Sequence, residues 1–234
     1  MLCFLIDRTL NVLKWPVAAL LLLVLPELIL QFWSTLKVLL SDKWLLFWGG
    51  VVLYGFLWKY LFSARLWGSW LPTFLHELCH AVVALLTLHR IRDFHASYNR
   101  GGHIQYIGGE GNWLITIAPY VIPSLTLPML ISAPYLQSLE WFWLVFGMGV
   151  GFDVISIYRE CHSEQTDLQS LGFLFSLLMI PSLNLLTFGA VFLWMEGGST
   201  AVVHAGSALL ELGGARFIEL TQLLWKQLQE LQII

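Results

Sequence analysis

This sequence predicts an all-α polytopic membrane protein. The expected fold is a bundle of about six transmembrane helices, with a short β-hairpin after the third and an amphipathic helix at the C-terminus. Three observations predict it. Of 234 residues, 58% are hydrophobic and 12% charged, against about 45–50% and about 25% in soluble domains. Mean hydropathy is +0.74, with 12 Trp and 15 Phe. Apolar runs also recur at about 20 residues, the length that a hydrocarbon core of about 30 Å demands. A net charge of −3 is too small to point to nucleic acid. The three cysteines, Cys3, Cys79 and Cys161, are odd in number and lack a CxxC pair, which argues against a disulfide framework or a thiolate zinc site. The N-terminus has no basic n-region and no A-x-A site, so it reads as retained.

Residues 1–14, with Asp7, Arg8, Asn11 and Lys14, are mixed in character and expected in the interface. The first span is expected from Trp15 to Trp33, kinked by Pro26, with Glu27 facing a cavity or paired. The second runs from Trp44 to Phe62, where Lys59 and Arg65 can snorkel. The third is Leu66 to Leu88. After it comes the longest polar stretch, in which His103-Ile104-Gln105-Tyr106-Ile107 alternates as a strand or hairpin does. The fourth span, Trp113 to about Tyr135, carries Pro119, Pro123, Pro128 and Pro134 and must be irregular. The fifth runs from Trp141 to about Tyr158, the sixth from Leu168 or Gly172 to Trp194. The tail places Phe217, Leu220, Leu224, Leu228 and Leu231 at helical spacing, as an interfacial helix or one packed on the bundle. Residues 1–234 contain no internal repeat or low-complexity linker and read as a single domain.

The chemistry concentrates at His76-Glu77-Leu78-Cys79-His80, inside the third span. Histidines four apart share one helix face, so a single Zn²⁺ can take both, with Glu77 placed as general base on a bound water. Unpaired, such a set in an apolar span carries a heavy desolvation cost; without a metal it would serve as hydrogen-bonding glue between helices. A catalytic zinc needs a third protein ligand. Alternation of the spans brings Asp153, near the end of the fifth, and Asp167, at the entry to the sixth, to the face that His80 approaches. Geometry leaves both open. Asp153 could instead orient a ligating histidine, and Asp167 could be a helix N-terminal residue. His103 reads as a surface strand residue, and His89, His95 and His204 as unpaired interfacial histidines.

The HExxH inside a span, the glycine-rich hairpin after it and the late aspartate resemble the site-2-protease class of intramembrane zinc metallopeptidases, family M50. Gly101-Gly102-His103, Gly109, Gly111-Asn112-Trp113, Ala118-Pro119-Tyr120 and Gln165-Thr166-Asp167-Leu168 resemble its M50B-like bacterial branch. The match covers about 66–194, with 199–234 as tail. The resemblance implies a membrane helix bundle in the bacterial inner membrane and one zinc per chain. It implies hydrolysis of peptide bonds in a membrane protein or peptide substrate at the lipid bilayer. Carried over, His76 and His80 become metal ligands, Glu77 the general base and Asp167 the third ligand. Cys79 stands where the family usually has glycine, and Leu-Gln follows Asp167 in place of Leu-Asp-Gly. The strand around Ile104 could pair with an extended substrate. The alternatives are a catalytically silent scaffold or chaperone of the same fold, and a metal or proton transporter. Arg90, Arg92 and Arg100 favour the motif's near face as cytoplasmic, but a six-span count puts six Lys/Arg on each side.

Overall fold

The structure is a computed structural model that describes residues 2–62, 70–97 and 101–230. Arg65, Leu66, Arg100 and Leu231 fall outside them. Helix α1 runs unbroken from Leu2 to Leu39 through Pro16 and Pro26, so the segment expected in the interface is its first turns. A 3₁₀ turn, Asp42–Trp44, leads into α2, Leu45–Leu57, which continues as a π-helical stretch, Trp58–Phe62. Helix α3 is Trp70–Leu86 and carries the motif. Strands β1 (Arg90–Ser97) and β2 (Gly101–Ile107) follow as an antiparallel hairpin, with His95 opposite His103 and an irregularity between Ile91 and Asp93.

The proline-rich stretch is broken, as expected. It comprises α4 (Trp113–Ile117), a 3₁₀ turn (Ala118–Tyr120) and, after a loop, α5 (Thr126–Leu136). The break falls at Pro119 and Pro123, each of which removes a backbone donor, whereas Pro128 and Pro134 lie within α5. Helix α6 is Glu140–Glu160, α7 is Thr166–Leu171, and Gly172 in the left-handed region (φ 88°) turns the chain into α8, Phe173–Glu230. Among the described residues, four helical stretches are long and apolar enough to cross a membrane: α1, Asp42–Leu61, α6 and α8. Helix α5, with 11 residues, is shorter than the expected fourth span, while the expected start of the third span lies outside the described residues.

Helix α8 bends at Gly198 (φ 67°), another left-handed position that favours glycine. Leu193 and Val202, and likewise Leu186 and Leu209, line one groove with Leu28, Phe32 and Thr35 of α1. Residues so far apart in one helix meet only if its two arms fold back on each other. The tail is thus packed on the bundle up to Arg216, which donates to the Leu23 carbonyl (2.6 Å) and pairs with Glu27.

Two apolar clusters hold the helices together. One, around Phe47, Phe142, Phe146 and Phe192, lies between α2, α6 and α8. There Gly147 meets the backbone of Phe47, and Gly50 that of Leu144, close enough that a Cβ on Gly147 would lie 2.0 Å from the Phe47 carbonyl oxygen. Small residues allow this approach where apolar burial gives helices no drive to associate. The other cluster, around Ala18, Trp113, Ile117, Tyr120, Phe175 and Met179, lies at the opposite end, against the motif.

Candidate metal centre

His76 and His80 sit one helical turn apart on α3, and α7 brings Asp167 to both. His76 Nε2 lies 3.3 Å and His80 Nε2 3.1 Å from Asp167 Oδ2, and the two Nε2 atoms are 3.3 Å apart. The other nitrogen of each ring is committed. His80 Nδ1 lies 2.6 Å from the Ile115 carbonyl oxygen and His76 Nδ1 2.9 Å from Glu160 Oε2. Both partners only accept, so each Nδ1 carries a proton and Nε2 is the nitrogen that each ring turns inward. Two such nitrogens and a carboxylate oxygen repel one another unless a cation or added protons lie between them. A tetrahedral zinc, with bonds of about 2.0–2.2 Å, spaces its N and O ligands about 3.3–3.5 Å apart. The observed separations fit that frame. The Tyr120 hydroxyl donates to Asp167 Oδ2 (3.2 Å), and its ring meets His76 edge-on at 5.5 Å, with Tyr120 fully buried.

A cavity of about 340 Å³ opens over this group, lined mostly by polar side chains. Glu77 and Gly102, His103, Ile104 and Tyr106 of β2 line it beside His76, His80 and Asp167. Glu77 is nearly buried, and β2 lies directly on it: a Cβ on Gly102 would stand 2.5 Å from Glu77 Cγ. Burial, and then the carboxylates of Asp7 and Asp167, push the Tyr106 phenol above its ordinary value, so it stays protonated.

Asp153, the other aspartate in question, is engaged elsewhere. Its oxygens accept from Ser124 Oγ (3.1 Å), the Leu125 amide (3.0 Å) and the Thr126 amide (2.8 Å), tying α6 to the start of α5. Among the described residues it is in no metal-binding group. One expectation needs correction. His89 is buried and partnered, 3.1 Å from both Asp7 Oδ2 and Thr87 Oγ1, because α1 begins early enough to cover it. His103 is, as expected, an exposed strand residue; it pairs with Asp93 and borders the cavity. Sequence reasoning missed Glu160, Tyr120 and Asp7. The spacing of Asp7, Asn11 and Lys14 on one helical face was the available signal for the last.

Residues 47–205 match the family Peptidase M50B-like, about two thirds of the chain. The chain belongs to that family. Its apolar helices and this membership make the M50B-like chain a multi-pass membrane protein of the peptidase M50 class. No curated protein and no solved structure matches it.

Proposed function

We propose that the chain is an intramembrane zinc metallopeptidase of the bacterial inner membrane, acting on membrane-embedded or membrane-proximal peptide bonds. The observation that carries this reading is the convergence of His76 Nε2, His80 Nε2 and Asp167 Oδ2, with both histidine tautomers fixed from behind, in a cavity that Glu77 also lines. His76, His80 and Asp167 would hold one zinc. When bound, zinc supplies Lewis acidity, polarising a carbonyl and lowering the pKa of a water toward neutrality. Glu77 takes a proton from the attacking water as its oxygen bonds to the carbonyl carbon. It then gives that proton to the amine nitrogen as the C–N bond breaks. Tyr120 holds Asp167 in place, and Glu160 and the Ile115 carbonyl hold the two rings. Strand β2 offers its backbone beside the cavity, where an unwound substrate segment can lie extended against it.

The test uses purified protein and an apolar quenched-fluorescence peptide library. Wild type should carry one zinc and cleave; Glu77→Gln should keep the zinc and lose cleavage. Asp167→Ala should lose zinc while Asp153→Ala, in its folded fraction, retains it. Wild-type protein without stoichiometric zinc would sink the proposal. Zinc without cleavage by wild type would favour a silent metal-binding scaffold.

A further inference from the structure

We infer that Asp7, on the first helix and outside the family-matched residues, is a positioning residue for His80, acting through Asn112 and the Ile115 carbonyl. The inference rests on the metal-centre reading above. Asp7 is buried and its carboxylate is a hub. Oδ2 accepts from the Gly111 amide (3.0 Å) and lies 3.1 Å from His89 Nε2, while Oδ1 accepts from Asn112 Nδ2 (2.7 Å). Asn112 is the N-cap of α4, and its Oδ1 accepts from the Ile115 amide (3.3 Å). The carbonyl of that same Ile115 accepts from His80 Nδ1 at 2.6 Å. Three hydrogen bonds, joined through the Asn112 side-chain amide and the backbone of Ile115, therefore link α1 to the imidazole.

The rest of this face of α1 acts on the same loop. Asn11 donates to the Gly111 carbonyl (3.1 Å) and accepts from the Trp113 amide (3.3 Å), and the Leu10 carbonyl accepts from Trp113 Nε1 (2.7 Å). Lys14 reaches the Leu171 carbonyl at the end of α7, the helix that carries Asp167 (2.6 Å). The loop is shaped to receive Asp7: a Cβ on Gly109 would lie 2.0 Å from Asp7 Oδ2, and Gly111 holds a φ of 84°. Cys3, Asp7 and His89 also group closely enough to hold a metal. Asp7 faces three N–H donors there, however, and we read the group as a hydrogen-bond hub.

Asp7→Asn keeps the shape and sets an amide N–H₂ against a donor. It should weaken zinc affinity about tenfold, the lower end of what outer partners of a ligand contribute, and should shift the visible bands of the cobalt-substituted protein. Swapping the pair, Asp7→Asn with Asn112→Asp, re-forms the link with donor and acceptor exchanged and should restore both. The exposed control Glu219→Gln should change neither. If Asp7→Asn does not fold, Asn112→Ser carries the test, since its hydroxyl can cap α4 but cannot reach Asp7. Wild-type affinity and cobalt bands in the singly substituted protein overturn the inference and leave the proposed function standing. So do two zinc ions per chain in wild type, falling to one in both Asp7→Asn and Cys3→Ser, which would make Asp7 a ligand. Wild type binding no zinc sinks the peptidase reading. The positioning role is then judged on hydrogen exchange of residues 111–117 in metal-free protein, where unchanged protection in Asp7→Asn overturns it.

Discussion

Gly102→Ala separates the position of Glu77 from the metal group beside it. A Cβ at residue 102 would stand 2.5 Å from Glu77 Cγ, 2.7 Å from Oε1 and 2.9 Å from Cδ. Carbon atoms rest about 3.5–4.0 Å apart, so about 1 Å of movement is required. Two parts could yield. The backbone of β2 is held by its ladder, with Ala96 opposite Gly102 and His95 opposite His103. The Glu77 carboxylate is the end of a flexible side chain, so it moves. The cost in stability is therefore small, about 1 kcal/mol. The cost in chemistry is not, since misplacing a reacting group by about 1 Å lowers the rate on the order of 100-fold. Purified Gly102→Ala protein should keep its zinc, melt near the wild-type temperature and cleave the peptide library about 100-fold more slowly. Wild-type cleavage by this variant would refute the placement of Glu77 as base beneath β2.

Glu160→Ala removes the acceptor behind His76 Nδ1 and should weaken zinc binding about 10–100-fold in a chelator competition, with the fold retained; unchanged affinity would remove Glu160 from the centre. Gly147→Ala places a Cβ 2.0 Å from the Phe47 carbonyl oxygen and 3.2 Å from its Cα, all backbone that cannot swing aside. Helices α2 and α6 must part, costing about 1–3 kcal/mol, and the thermal midpoint in detergent should fall. A Gly147→Ala protein that melts like wild type would contradict the close approach.

The sequence made His76, Glu77 and His80 legible because helical periodicity alone puts them together. The prolines between 119 and 134 likewise announced the broken stretch. What stayed hidden depended on partners remote in sequence. Strand β1 is too charged at Arg90, Arg92 and Asp93 to read as a strand, and it forms because β2 supplies its ladder. Glu160 stayed hidden because only folding brings the end of α6 to His76. Residues 1–14 read as interfacial because their polar side chains are satisfied by the loop at 111–113 and by Leu171. That misplacement also explains the indecisive charge count. With α1 starting, and α2 and α6 ending, at the site end, Arg8, Lys14, Lys59, Arg90, Arg92 and Arg159 gather there, against Lys37 and Lys43 at the other.

The hydrogen bonds of α1 also fix an order of events during synthesis. Asp7 bonds groups 104 and 105 residues later, Lys14 one 157 residues later, and Arg216 returns to a carbonyl 193 residues earlier. At about 5–20 residues per second, Lys14 waits about 8–30 s for Leu171 to be made. Until residues 111–113 are made, Asp7 and Asn11 have no partner in existence, and Lys14 has none until Leu171, a costly state in lipid. The metal group also lacks Asp167 until then. The centre is therefore a late product of assembly, and a nascent chain halted before Leu171 presents α1 as an unfinished helix to whatever surveys the membrane for such segments.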